Sequence, residues 1–319
     1  MVNLDIQLKK LFGSTRVVFI TDCDETLSLL CRSGYTALSF ADIVSDHDKL
    51  RGAQNAVVIP SRYANMPGRE FFYRAFEGMA LLFFPMASFS GDSHSIRYSL
   101  NCMAGIDFAE AVANNLRWLI GLERCQSRLN ISGAGTDCEL VLGDELNFMQ
   151  FKTEPEIEPG EWVALAHFLE VALVSKVDRI EPAHRLSGVV VADGVAVAQH
   201  RYLPELVAPK ANRAWEILDG FRKAGEFPLK VELDQSVVRE VVTKGGMDIL
   251  PQLLPLVDVN YDNVLVEMAF ASAPKDSFKI DWSVNSLINE AAGGIHIALG
   301  TGLRGAHIDF ISTPAKAVW

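Results

Sequence analysis

Two short runs near the C-terminus, IHIALG (residues 295–300) and AHIDFI (306–311), alternate large apolar with polar or small residues and are separated by a Gly-rich link. A period of two belongs to a strand with two unlike faces, and two such runs in close succession predict an antiparallel hairpin. If the turn centres on Thr301 and Gly302, His296 lies directly opposite His307, with Cβ atoms roughly 4.5–5.5 Å apart. Asp309 returns to the same face about 6.6 Å further along. The hairpin then gathers two imidazoles and a carboxylate, and a slip of one residue would scatter them.

That donor set suits zinc, cobalt, manganese or ferrous iron, and two His with one carboxylate leave open positions for substrate or oxygen. Hydrolysis and oxygenation are both compatible with it. The plainer alternative is a pair of unrelated histidines, each satisfied by backbone.

At 319 residues the chain exceeds one ordinary core, and two domains are expected. In the first, residues 15–21, 57–59 and 79–84 read as buried strands, and residues 69–76 and 108–122 carry helical spacing. This alternation predicts a parallel-sheet α/β domain over residues 1–125. Beyond it come LNIS, CELVL, FMQF, SGVVVADGVAVAQHRY, KVELD and VLVEMAFA, strand-like pieces separated by Gly, Pro and Asp. They predict a β-rich α+β domain over residues 126–319, interrupted by helical patterns at 237–244 and 247–254.

A net charge of −11 argues against nucleic acid or an anionic membrane surface as partner. The apolar stretch 79–89 is too short to cross a bilayer and contains Pro85. Five cysteines without a CxxC pair fit free thiols in the cytoplasm, and the N-terminus lacks the pattern of a secretory signal.

Several motifs compete for attention. VVFITDCDETLSLL matches a phosphatase pattern with Asp22 as nucleophile and Asp24 as acid, and LVLGDEL could supply further acids. Such chemistry also needs Mg²⁺ and a stabilising Lys, and an acidic loop after a parallel strand is the favoured reading. Cys23 between two aspartates is a poor nucleophile. Glu154, Glu156, Glu158 and Glu161 alternate with prolines as a solvated loop, and His94 with Arg97 reads as a helix start. Trp162, Trp215 and Trp319 read as core or interface residues.

HIALG at His296, the His-x-Asp at His307 and Asp309, and VEMAFASAP around Glu267 resemble the ordered C-terminal motifs of thermophilic leucyl aminopeptidases and dihydroxypyridine dioxygenases. GDSHSIRYSL, MAGID and SGAGTDCEL are similar to the interdomain region of that family, so the resemblance spans residues ~90–319. It implies an aminopeptidase-like fold, a homodimer, and Glu267, His296, His307, Asp309 and Glu170 as ligands of one divalent metal (Zn, Co or Fe). Glu170 sits at shifted spacing in AHFLEV, no tyrosine follows HIALG, and the link to His-x-Asp is short. Kept fold motifs with an eroded metal site resemble the peptide-binding proteins of crocagin-type ribosomal peptide biosynthesis. This implies a cytoplasmic binder of a precursor peptide, with no metal required. The alternative is a metal-dependent aminopeptidase or a non-haem iron ring-cleaving dioxygenase.

Overall fold

The computed structural model describes residues 2–125, 128–143, 146–174, 184–200, 204–258, 263–274 and 276–318, with the side chains of 204–208 left aside. Trp319, the acids of LVLGDEL and the end of the run through Tyr202 lie outside the described residues.

Four strands form the first sheet: β1 (Val18–Thr21), β2 (Thr36–Ser39), β3 (Asn55–Ile59) and β4 (Ala80–Phe83). After the hairpin of β5 (Arg128–Gly133) and β6 (Thr136–Leu142), the chain returns to it with β7 (Trp162–Ala164). All pairings are parallel, in the order β2-β1-β3-β4-β7. Both faces are covered, as the unbroken apolar runs require. One packs against the helices Asp5–Phe12, Ser93–Gly105 and Phe108–Arg124 through Phe19, Leu82, Leu100 and Phe108. The other buries Ile20, Val58 and Leu81 under Phe40, Phe72 and Phe76.

The second half is a sandwich of two antiparallel sheets. The strands are β8 (Glu170–Val174), β9 (His184–Ala192), β10 (Gly194–Ala198), β11 (Leu229–Asp234), β12 (Val237–Val242), β13 (Leu265–Ala271), β14 (Ile295–Leu299), β15 (His307–Ser312) and β16 (Lys316–Val318). One sheet runs β10-β15-β14-β13-β8 and the other β12-β11-β9-β6-β5-β16. The predicted α/β plus β-rich α+β architecture is what the chain adopts, with the last core strand of the parallel sheet supplied from beyond residue 125.

The five-stranded sheet has two sharply different faces. Its ladders set Glu267 and Asp309 on either side of Ala298, His296 beside Ala269, Ala269 beside Ala172, Glu170 beside Ala271, and His307 beside Ala198. Directly paired residues share a face, so this face carries acids, imidazoles and alanines. The alternate residues, Val171, Leu173, Met268, Phe270, Ile297, Leu299, Ile308 and Phe310, are buried against the six-stranded sheet. The large residues thus bind the sandwich, while the small ones leave room for the polar side chains between them.

Two local expectations are corrected. Residues 237–242 form β12 and not a helix, because VVREVV is rich in β-branched residues and follows a tight turn. Gln235 and Ser236 both take positive φ, 51° and 65°, as a two-residue hairpin turn demands. FMQF contributes only an isolated bridge, Phe148 to Leu173. The helix Pro204–Lys223, which packs Ala214 and Leu218 on the sandwich, was not anticipated.

Asp22 has a structural task. Its carboxylate accepts the amides of Ser61 (2.5 Å) and Arg62 (3.1 Å) and the Asn65 side-chain amide (2.8 Å), anchoring the loop after β3. Of the motif's acids, Asp22 lies on the short loop after β1, while Asp24 and Glu25 open the helix Asp24–Arg32. The acid-rich loop before β7 is tied down in part by Glu161, which pairs with Lys152 at 2.8 Å.

Candidate functional site

The hairpin β14–β15 forms, but in another register. His296 pairs with Ile311, Ala298 with Asp309 and Leu299 with Ile308, so His307 lies beyond the last pair and not opposite His296. The predicted two-residue turn is replaced by a longer link, and the cause is Asp258. This 2 % exposed carboxylate accepts the amides of Thr301 and Arg304, both at 2.6 Å, together with the Thr301 hydroxyl. Gly300 turns the corner at φ +76°, where a Cβ would lie 2.2 Å from the Ala306 carbonyl oxygen. The shift is even, so the period of two still returns His296, His307 and Asp309 to one face.

Because Asp258 is itself buried and satisfies three donors of the link, its removal frees all three. Asp258→Ala is expected to lower unfolding free energy by about 2–3 kcal/mol, read by urea denaturation. Stability unchanged within error would show that the link holds itself.

All five residues singled out in the sequence converge. His296 Nε2 lies 3.4 Å from Glu267 Oε1 and 3.6 Å from Glu170 Oε2, and its Nδ1 has no hydrogen-bond partner among the described residues. His307 Nε2 lies 3.1 Å from Asp309 Oδ1 and 3.8 Å from Glu267 Oε2. Its other nitrogen, Nδ1, is 2.6 Å from the Gly300 carbonyl, which fixes the ring from the link side. Sequence reasoning missed a sixth member. Glu290 ends the short helix Leu287–Glu290, is 6 % exposed and lies close enough to Asp309 for the two acids to perturb each other's protonation. An acid inside the otherwise apolar and small stretch SLINEAAGG was the available signal.

Six titratable groups share a buried space, and their protonation follows from it. Burial pushes the Glu170 carboxyl up to about 8, aided by the nearby charges of Glu267 and Asp309 and opposed by His296. Glu290 is raised well above the usual carboxylate range, by burial first and then by Asp309 and Glu170. Burial would lower both imidazoles, but the carboxylates outweigh it. His296 rises to about 9 through its contact with Glu267 and the charges of Glu170 and Asp309. His307 rises to about 10 through Asp309 and Glu267. Asp309 is held below the usual range, because the charges of His307 and His296 outweigh its burial. At neutral pH both imidazoles are therefore protonated beside Asp309, while Glu170 and Glu290 stay neutral.

Imidazole and carboxylate are donors for zinc, cobalt or ferrous iron. Among the described residues, however, no three or more His, Cys, Asp or Glu are grouped as ligands of one cation. As arranged, the imidazole nitrogens contact the carboxylate oxygens directly, at 3.1–3.8 Å.

The cluster is not sealed. His307 keeps 18 % side-chain exposure and, with Glu267, forms part of the wall of a cleft of about 730 Å³. Phe83, Pro85, Tyr63 and Ala164 line it from the parallel-sheet side, and Val174, Ala198 and Val266 from the five-stranded sheet. A second cleft of about 640 Å³, lined by Tyr73, Gln150, Trp162 and His167, shares Tyr63, Phe83 and Ala164 with the first. Trp162 stacks on Tyr73, with ring centroids 4.7 Å apart and planes within 9°.

These features define a two-part α/β and β-sandwich protein with a largely apolar cleft ending on a buried acid–imidazole cluster. The chain belongs to the family described as Crocagin biosynthetic protein CgnE/B, which matches residues 14–318. Its fold is similar to wild-type AmpT from Thermus thermophilus (13% identity, TM-score 0.48, covering 98% of this chain and 94% of that one). It is also similar to 2,5-dihydroxypyridine dioxygenase from Pseudomonas putida KT2440 (10% identity, TM-score 0.43, covering 98% and 91%). No curated protein matches the sequence. No helix among the described residues is long and apolar enough to cross a membrane.

Proposed function

We propose that this chain binds a peptide, a ribosomally made precursor in crocagin-type biosynthesis, and presents it to a modifying enzyme. The observation that carries the reading is the cleft between the two sheets, which is largely apolar and is lined at one place by the His307–Glu267 pair. Membership of a crocagin biosynthetic family supports a precursor peptide as the ligand. The cluster then acts as a fixed polar floor, whose ion pairs present charge at one end of the cleft without moving.

A pool of randomised decapeptides passed over the immobilised protein is expected to enrich binders. Ala198→Trp, which fills the cleft from β10, is expected to weaken the best of them roughly tenfold or more. Equal enrichment on the blocked variant would count against the cleft.

The donor types favour one second reading, the metal-dependent aminopeptidase or iron dioxygenase. Elemental analysis of protein purified without chelator separates the two. Near-stoichiometric zinc, cobalt or iron that is lost on His307→Ala selects the enzyme, and metal-free protein that still enriches peptides selects the binder.

A further inference from the structure

We infer that the peptide docks by adding a strand to the free edge of β7, a step that rests on the peptide-binding reading above. β7 is the last strand of the parallel sheet, and no described strand pairs with its outer side. Its bonds to β4 use odd-numbered residues. The Leu81 N–H donates to the Glu161 carbonyl at 2.9 Å and the Leu165 N–H to the Phe83 carbonyl at 3.0 Å, in the register Leu81↔Trp162 and Phe83↔Ala164. Successive residues of a strand turn their N–H and C=O to opposite sides, so those of Trp162 and Ala164 point away from β4. These two N–H and two C=O groups have no partner among the described residues, and both residues are only half-buried.

The free edge is placed where a peptide would run. Trp162 and Ala164 both line the 640 Å³ cleft, and Ala164 also lines the 730 Å³ cleft that reaches Glu267 and His307. The edge therefore spans from the Tyr73–Trp162 aromatic wall toward the acid–imidazole cluster. A donor and an acceptor repeating every second residue, about 6.6 Å apart, match an extended backbone and little else. A second folded copy would have to bring its own sheet edge down between Tyr73, Gln150 and His167, whereas one extended chain fits between them. The net charge of −11 favours a segment without net negative charge. Backbone bonds to β7 would supply register, and the apolar walls would read alternate side chains.

The test uses the tightest binder from the randomised decapeptide pool, resynthesised with an N-methyl group at each backbone position in turn, and the Ala164→Pro variant. Proline at 164 removes an outward N–H that β4 does not use, and edge strands admit proline. Strand addition predicts a period-two pattern, in which methylation at alternate positions weakens binding roughly tenfold and at the positions between them much less. It also predicts roughly tenfold loss in folded Ala164→Pro. A binder with no alternating sensitivity overturns strand addition, as does one that binds folded Ala164→Pro unchanged; either outcome leaves peptide binding intact. A pool that yields no binder overturns both. Should Ala164→Pro misfold, the methylation scan on the unaltered protein decides.

Discussion

Asp309→Ala is expected to be the most damaging single change in the cluster, costing about 3–5 kcal/mol of unfolding free energy. Asp309 is 1 % exposed and pairs with the His307 imidazolium at 3.1 Å. Truncation leaves the largely buried His307 cation with Glu267 at 3.8 Å as its remaining carboxylate partner among the described residues, beside the Gly300 carbonyl at 2.6 Å. Glu290→Gln is the matched control. Glutamine keeps the size and the neutrality of that buried carboxyl, so the expected cost is below about 1 kcal/mol. Urea denaturation of both variants checks the pair. Equal costs, or a stable Asp309→Ala, would show that the ion pair does not hold the sheet face together.

The second large effect is a dependence of stability on pH with an unusual slope. Glu170 and Glu290 keep protons in the fold that an unfolded carboxyl releases near its ordinary value, so their contribution is full in acid and fades as pH rises. For Glu170 the loss continues to about pH 8. His296 and His307 bind protons up to about 9 and about 10, so their contribution is complete below the ordinary histidine value and lost as pH climbs through those two. On the acid side, Asp309 loses its pairing as it protonates. His167 and His184, which burial lowers to about 4, oppose folding progressively as pH drops below the ordinary histidine value. Stability should therefore peak near about pH 6 and fall on the order of a few kcal/mol by about pH 9.5. Melting curves across that range check it, and a Tm that is flat or rises above pH 7 would contradict the protonation assigned to the cluster.

What the sequence disclosed follows from how local each determinant is. The alternation in EVALV, EMAFA, HIALG and HIDFI is written in consecutive residues, and it places Glu170, Glu267, His296, His307 and Asp309 on one sheet face whatever the turn does by an even number of residues. The hairpin register was not legible, because it is set by Asp258, a residue more than forty positions before the turn it organises. Glu290 was hidden for a similar reason: only the packing of a four-residue helix brings it to Asp309. VVREVV was read with the wrong period because its apolar spacing satisfies a helix as well as a strand, and the deciding feature is the positive-φ turn before it. The placement of β7 beside β4 was also beyond local reading, since the strand that completes the parallel sheet lies after a hairpin belonging to the other half.

Photo-crosslinking tests the central claim most directly, using the selected decapeptide carrying a diazirine side chain near its middle and mass mapping of the attached residues. Occupation of the cleft predicts attachment on both walls, at Tyr63, Phe83 or Ala164 from one sheet and at Val174, Ala198 or Val266 from the other. Attachment confined to the outer groove of Leu29, Arg32 and Arg97, or to no fixed position, would contradict it.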